Sequence, residues 1–88
     1  MKFEKSAQFK KDFRRMKKRG ADFSKLEKVL EILLDGKALP SIYLDHMLIS
    51  GEFKGSHDVH IAPDWLLIYD IQGDTVILER MGTHSDLF

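Results

Sequence analysis

The stretch His57-Asp58-Val59-His60-Ile61-Ala62-Pro63-Asp64-Trp65-Leu66-Leu67-Ile68-Tyr69-Asp70-Ile71-Gln72-Gly73-Asp74-Thr75-Val76-Ile77-Leu78-Glu79-Arg80-Met81 decides the fold. From His57 to Ile61 polarity alternates. In an extended chain Val59 and Ile61 share one face, and Asp58 and His60 share the other. Pro63-Asp64 is turn chemistry. Trp65 to Tyr69 is apolar at every position, as a central strand buried on both faces requires. Gln72-Gly73-Asp74 reads as a hairpin turn, and Thr75 to Met81 as the last strand. Links this short join antiparallel neighbours.

Working back toward the N-terminus, Glu52-Phe53-Lys54 is a further short strand candidate, bracketed by Gly51 and Gly55. Before Pro40 the period changes. Leu26, Val29, Leu30, Leu33 and Leu34 form one broad helical face, opened by the capping box Ser24-Lys25-Leu26-Glu27 and stopped at Gly36. Phe9, Phe13 and Met16 form the stripe of an earlier helix, from Ala7 to about Lys18, with Ser6 as N-cap and Gly20 as terminator. Lys2 to Lys5 has the length of an edge strand. Helices first and strands after imply an α+β domain: a helical hairpin packed on a twisted antiparallel sheet. Leu26, Leu30, Leu33, Trp65, Leu67, Tyr69 and Val76 are the expected core.

A chain of 88 residues is expected to form a single domain, residues 1–88, with a modest core. It has no cysteine, so thiolate zinc sites are excluded and disulfides contribute nothing. No apolar run is long enough to cross a bilayer, and Met1-Lys2-Phe3-Glu4-Lys5 has no apolar signal core. The expectation is a soluble cytoplasmic protein with no membrane partner. The net charge of zero hides an asymmetry: residues 1–20 carry nine basic side chains and two acids, a net +7 balanced by −7 elsewhere. A helix bearing Lys10, Lys11, Arg14 and Arg15 presents one face to a polyanion such as RNA, unless it is only a solvated face.

The residues suited to chemistry lie in the C-terminal half, where all four histidines fall: His46, His57, His60 and His84. Asp58 and Asp64 lie among them, and Lys54 and Arg80 add positive charge. Histidine titrates nearest neutrality and suits proton transfer. A metal site is a weaker reading, because residues three apart on a strand, such as His57 and His60, point to opposite faces. Trp65 and Tyr69 read as core, and Met47 and Met81 require no functional role.

Asp45-His46-Met47-Leu48, Gly51-Glu52-Phe53-Lys54-Gly55, Asp58-Val59-His60-Ile61, Pro63-Asp64-Trp65-Leu66-Leu67-Ile68-Tyr69 and Glu79-Arg80-Met81-Gly82-Thr83-His84-Ser85-Asp86-Leu87-Phe88 resemble, in order and spacing, the YafQ-like branch of the RelE/ParE toxin superfamily. The resemblance runs from about Tyr43 to Phe88; the helices before it match in length and pattern rather than in letters. It implies a β-α-α-β-β-β, microbial ribonuclease-like fold. It implies a type II toxin that cuts mRNA in the ribosomal A site and is restrained by a cognate antitoxin, with operator DNA bound only through the antitoxin complex. By the same resemblance His46, His60, Asp64 and His84 occupy active-site positions, Arg80 a cationic one and Phe88 a terminal aromatic one. His57 departs from the family, which usually has a basic residue there.

The chemistry suits these residue types. RNA carries its own nucleophile, the 2′-hydroxyl. A base removes that proton, an acid protonates the departing 5′-oxygen, and cations stabilise the phosphorane, with no metal or cofactor. The sequence suggests His84 as acid and His60 with Asp64 on the base side, labels that are interchangeable at this level. Arg80 and Lys54 supply charge, and His46 supports the phosphate or a proton. Lys10, Lys11, Arg14, Arg15, Lys54, His57 and Phe88 are the expected RNA and ribosome contacts. Phe88 is equally suited to packing on the sheet and to stacking on a base. The alternatives are a ParE-like gyrase poison, which generally lacks the histidine and aspartate set, and a non-enzymatic nucleic-acid-binding module, which does not need it.

Overall fold

The computed structural model describes residues 1–88. Its elements are β1 (Lys2–Lys5), α1 (Ala7–Lys18), α2 (Phe23–Leu34), a 3-10 turn (Ser41–Tyr43), β2 (His46–Met47), β3 (His57–Ala62), β4 (Trp65–Gln72), β5 (Thr75–Gly82) and α3 (His84–Leu87). No helix is long and apolar enough to cross a membrane. The five strands form one sheet in the order β1-β5-β4-β3-β2.

The strands from β2 to β5 are antiparallel, as their short links dictate, but β1 runs parallel to β5, from Lys2 beside Thr75 to Lys5 beside Leu78. The sheet is therefore mixed rather than wholly antiparallel. The cause is the immediate step from β1 into α1. The Ser6 amide donates to the Leu78 carbonyl (3.0 Å) and its hydroxyl to the Glu79 carbonyl (2.7 Å), which fixes where α1 leaves the sheet edge. The Ser6 Oγ also accepts from the Phe9 amide, the N-cap that the sequence implies.

Strand β4 divides the molecule. Trp65, Leu67 and Tyr69 join Leu26, Val29, Leu33, Val59 and Val76 in the main core, on the face covered by the helices. Leu66 and Ile68 point to the other face and form a smaller cluster with Phe53 and Leu87. Burial on both faces is the reason β4 is apolar at every position from Trp65 to Tyr69.

Several local readings are corrected. The second helix is capped by Asp22, not Ser24: the Asp22 carboxylate accepts from the Ser24 amide (3.1 Å) and hydroxyl (2.6 Å), which occupies the serine. Glu52-Phe53-Lys54 is a turn rather than a strand; hydrogen bonds from Leu48 N–H to the Ser56 carbonyl and from Gly55 N–H to the Leu48 carbonyl close the loop and turn Phe53 inward. The partner strand of β3 is His46–Met47 instead. Leu30 is half-buried, and Phe13, 37% exposed, lies outside the core and stacks on Phe23.

One irregularity positions the site. Residue Glu79 is an extra residue in β5, because Tyr69 pairs with Leu78 while the next residue back, Ile68, pairs with Arg80. In a regular strand Leu78 and Arg80 would share a face. The bulge shifts the phase, so Met81 enters the main core and Arg80 faces the open side of the sheet.

Candidate active site

Strand β3 carries His60 on the open face, opposite Val59 and Ile61. Helix α3 carries His84 as its first residue, just beyond the end of β5. The two rings lie 5.6 Å apart between centroids and are tilted by 50°. Asp64, in the turn between β3 and β4, reaches across to the same point. Its Oδ1 accepts from the His84 backbone amide (3.0 Å) and contacts His84 Nδ1 at 2.7 Å. An ionised carboxylate only accepts, so Nδ1 carries the hydrogen and Nε2 is left free to act. The His84 amide, and after it the ring, hold the Asp64 carboxyl below the usual carboxylate range. Asp64 thus belongs with His84 rather than with His60. The Nδ1 atom of His60 is buried without a hydrogen-bond partner.

His46 stands beside Asp58 in the β2–β3 pair, diagonal to His60 on the same face. Its Nδ1 lies 2.8 Å from the Leu44 carbonyl and its Nε2 lies 3.9 Å from Asp58 Oδ2. Leu44 adopts the left-handed region (φ 52°), an uncommon conformation for a branched residue. That turn aims its carbonyl at the ring.

Arg80 and Lys54 line a shallow concavity of about 560 Å³ on the open face, with Glu52, Ser56 and Glu79. Arg80 is tied to Asp12 of α1 through Nε (2.8 Å) and Nη2 (3.3 Å). Phe88 packs edge-on against Phe53 with centroids 6.2 Å apart and remains 65% exposed. His57 lies apart from this group. It stacks on Tyr69 at 5.1 Å and contacts Asp45 Oδ1 at 3.1 Å, while the Tyr69 hydroxyl donates to the other Asp45 oxygen at 2.9 Å. No three His, Asp or Glu side chains converge as a metal-ligand set.

The family model described as the bacterial toxin of type II toxin-antitoxin systems, YafQ, matches residues 1–88. The chain belongs to the YafQ toxin family. It is 41% identical over 86 residues to the mRNA interferase toxin YafQ of Escherichia coli, covering 97% of this chain and 92% of that protein. It is similar to the crystal structure of Escherichia coli YafQ (TM-score 0.91, 39% identity, 98% and 96% of the two chains). A crystal structure of the Escherichia coli DinJ-YafQ complex is also similar (TM-score 0.89, 40% identity, 98% and 96%). So is a copper-bound mutant toxin from Helicobacter pylori (TM-score 0.92, 36% identity, 100% and 99%).

In this YafQ-family chain the catalytic candidates rest on charged residues that the sequence reading passed over. Asp12 is fully buried. Besides Arg80 it accepts from the Met81 amide (3.0 Å) and pairs with Arg15 (2.9 Å), and Arg15 in turn donates to the Met81 carbonyl (3.2 Å). Strand β1 pairs only as far as Leu78, so this pair satisfies the backbone edge of β5 that β1 leaves open. Burial pushes the Asp12 carboxyl up, but the hydrogen bonds from Arg80, Met81 and Gln8 outweigh it and hold it below its ordinary value. Asp86 pairs with Arg19 (2.6 Å), which holds its carboxyl far below the usual range. A sequence signal existed for Asp12. It is three residues after Phe9 and four before Met16, an acid on the apolar stripe of α1.

Arg15 is thus turned inward, whereas Lys10, Lys11 and Arg14 are exposed on α1. Lys10 and Arg14, with Lys5, rim an apolar groove of about 340 Å³ between α1 and α2.

Proposed function

We propose that this chain is an mRNA interferase toxin of a type II toxin-antitoxin system, in which residues 1–88 act as one domain that cleaves mRNA on the ribosome. The observation that carries the catalytic reading is the pair of imidazoles, His60 and His84, 5.6 Å apart on one face, with a carboxylate behind one of them. Two proton-transfer groups so placed reach oxygens of one phosphodiester.

In this reading His60 takes the proton of the 2′-hydroxyl, which attacks the adjacent phosphorus. His84 gives a proton through Nε2 to the departing 5′-oxygen. Asp64, bonded to Nδ1–H, fixes the ring and supplies the counter-charge while it holds both protons. Arg80, whose Nη1 is not engaged by Asp12, and Lys54 stabilise the charge that builds on the phosphorane, His46 supports the phosphate, and exposed Phe88 offers a surface for a base. Lys10, Lys11 and Arg14 contact ribosomal RNA. Arg15 and His57 hold the fold, because their polar groups are engaged by Asp12, Asp86 and Asp45. No step requires a metal or cofactor.

The relatives solved as DinJ-YafQ complexes support a cognate antitoxin as partner. In this reading operator DNA is met only through such a complex, and the cytoplasm is the place of action. Exposed Ile42 (80%) and Ile49 (84%), flanking Leu44 and Met47, support a protein partner on the segment before β3. The test is addition of the purified protein to a translation extract. Programmed mRNA is expected to be cut within its translated region, at an unchanged rate after chelation that leaves ribosomes intact. Intact mRNA with inhibited gyrase would favour the ParE-like alternative, and cleavage lost on chelation and restored by zinc would require a metal mechanism.

A further inference from the structure

We propose that Asp86 and Arg19 are positioning residues for His84: a clamp from the C-terminal end of α1 sets the place of the histidine, so that Arg19 serves the reaction rather than the RNA. The inference rests on the reading of His84 as a catalytic group.

Helix α3 has four residues, too few to hold its own shape, since a helix this short has not recovered the cost of its first turn. Something else must fix it. Thr83 and Asp86 form a capping box, in which the Asp86 amide donates to Thr83 Oγ1 (3.2 Å) and the Thr83 amide to Asp86 Oδ2 (2.9 Å). The same carboxylate takes a two-pronged contact from Arg19, Nη1 to Oδ2 at 2.6 Å and Nη2 to Oδ1 at 3.2 Å. Arg15 Nη2 stands 3.6 Å from the same Oδ2. A planar guanidinium matched to both carboxylate oxygens fixes direction as well as distance.

Gly82 shows that the clamp is built to close tolerance. A Cβ there would lie 2.9 Å from Arg15 Nη2 and 2.9 Å from Asp86 Cβ and Oδ2. Its backbone angles are ordinary, so glycine is required by space and not by φ. His84 lies two residues before Asp86, with its ring bonded to Asp64. Asp64 alone would allow the ring to pivot with α3; the clamp removes that freedom.

The experiment compares wild type with Arg19→Gln and Asp86→Asn, by NMR of the histidine rings and by single-turnover cleavage of ribosome-bound mRNA. Both substitutions are expected to shift the His84 ring resonances and lower the maximal rate about 10- to 100-fold, the scale of a 1 Å misplacement. The ribosome concentration giving half-maximal rate should stay within about two-fold. Arg19→Lys keeps the charge without the fork and should fall between. Lys10→Glu with Lys11→Glu should instead raise the half-maximal ribosome concentration. Gly82→Ala forces the clamp from the other side and should reproduce the Arg19→Gln kinetics if the latter variant proves too unstable to assay. Unmoved His84 resonances in folded Arg19→Gln would overturn the proposal, and so would a raised half-maximal concentration with the maximal rate kept, which would make Arg19 an RNA contact. A fully active His84→Ala would instead overturn the catalytic reading, and the ring resonances would still decide whether the clamp places His84.

Discussion

Substitution of His84 by alanine is expected to lower the rate of mRNA cleavage by about 100- to 10,000-fold, the usual contribution of a positioned general acid, while the fold is retained. The reason for the second half is burial. The His84 side chain is 54% exposed, and its one polar partner, Asp64, is 65% exposed. The loss removes a contact in solvent and leaves the backbone amide at position 84 still bonded to Asp64. Surface changes of this kind stay within about 0.5 kcal/mol, a few degrees of Tm in a chain of this length. Cleavage assays and thermal melts on the same preparation check both halves. A variant that melts normally and still cleaves at the wild-type rate would remove His84 from the mechanism.

Asp12→Ala is expected to do the reverse of this, striking stability first. The side chain is fully buried and meets Arg80, Arg15, Gln8 and the Met81 amide. Its removal strands the Arg80 guanidinium, 20% exposed, and orphans a buried amide on the open edge of β5. Breaking a buried ion pair from one side costs about 3–5 kcal/mol, a large share of the roughly 5–15 kcal/mol that holds a small domain together. Tm should fall by roughly 15 °C or more. The pH dependence has a defined sign. The Asp12 carboxyl sits below its ordinary value in the folded protein. Its stabilisation is therefore complete above about pH 4, the unfolded carboxyl range, and is lost as pH falls toward the folded value. The variant should lack that part of the acid-side loss. A Tm shift of less than about 3 °C would show that the network contributes little to folding.

The contrast between these two residues explains what the sequence made legible. Alternation from His57 to Ile61 and the apolar run from Trp65 to Tyr69 are local patterns, and burial on the two faces of β4 follows from them directly. The caps at Ser6 and the ends at Gly20 and Gly36 are local too. The pairing of β1 with β5 spans more than seventy residues, and no periodicity encodes its direction; it follows from where α1 must leave the sheet. The Glu79 bulge lies in the pairing of β4 with β5 and has no signature in the strand pattern, so the side to which Arg80 points was not readable from it. Asp22 and Ser24, two residues apart, both satisfy the capping rule, and only the fold shows that Asp22 takes the role. The short α3 has no apolar stripe to announce it.

The site divides the same way. His46, His60, Asp64 and His84 were legible as residue types with a family spacing. Their supports were not, because Asp12 meets Arg80 across 68 residues and Asp86 meets Arg19 across 67. In sequence alone Arg15 and Arg19 are two of nine free cations in residues 1–20. The fold pairs both of them, which narrows the basic face to Lys10, Lys11, Arg14 and their exposed neighbours.

The chemistry of the cut ends is the most direct measurement of the central claim. Attack by the 2′-hydroxyl leaves a 2′,3′-cyclic phosphate, or the phosphate from its hydrolysis, on the upstream fragment and a free 5′-hydroxyl on the downstream one. The account predicts that mRNA recovered from ribosomes treated with this protein carries 5′-hydroxyl ends that can be labelled by polynucleotide kinase without prior dephosphorylation. Fragments bearing 5′-phosphate and 3′-hydroxyl ends would mean that water, not the RNA, supplied the nucleophile, and would contradict the roles given to His60 and His84.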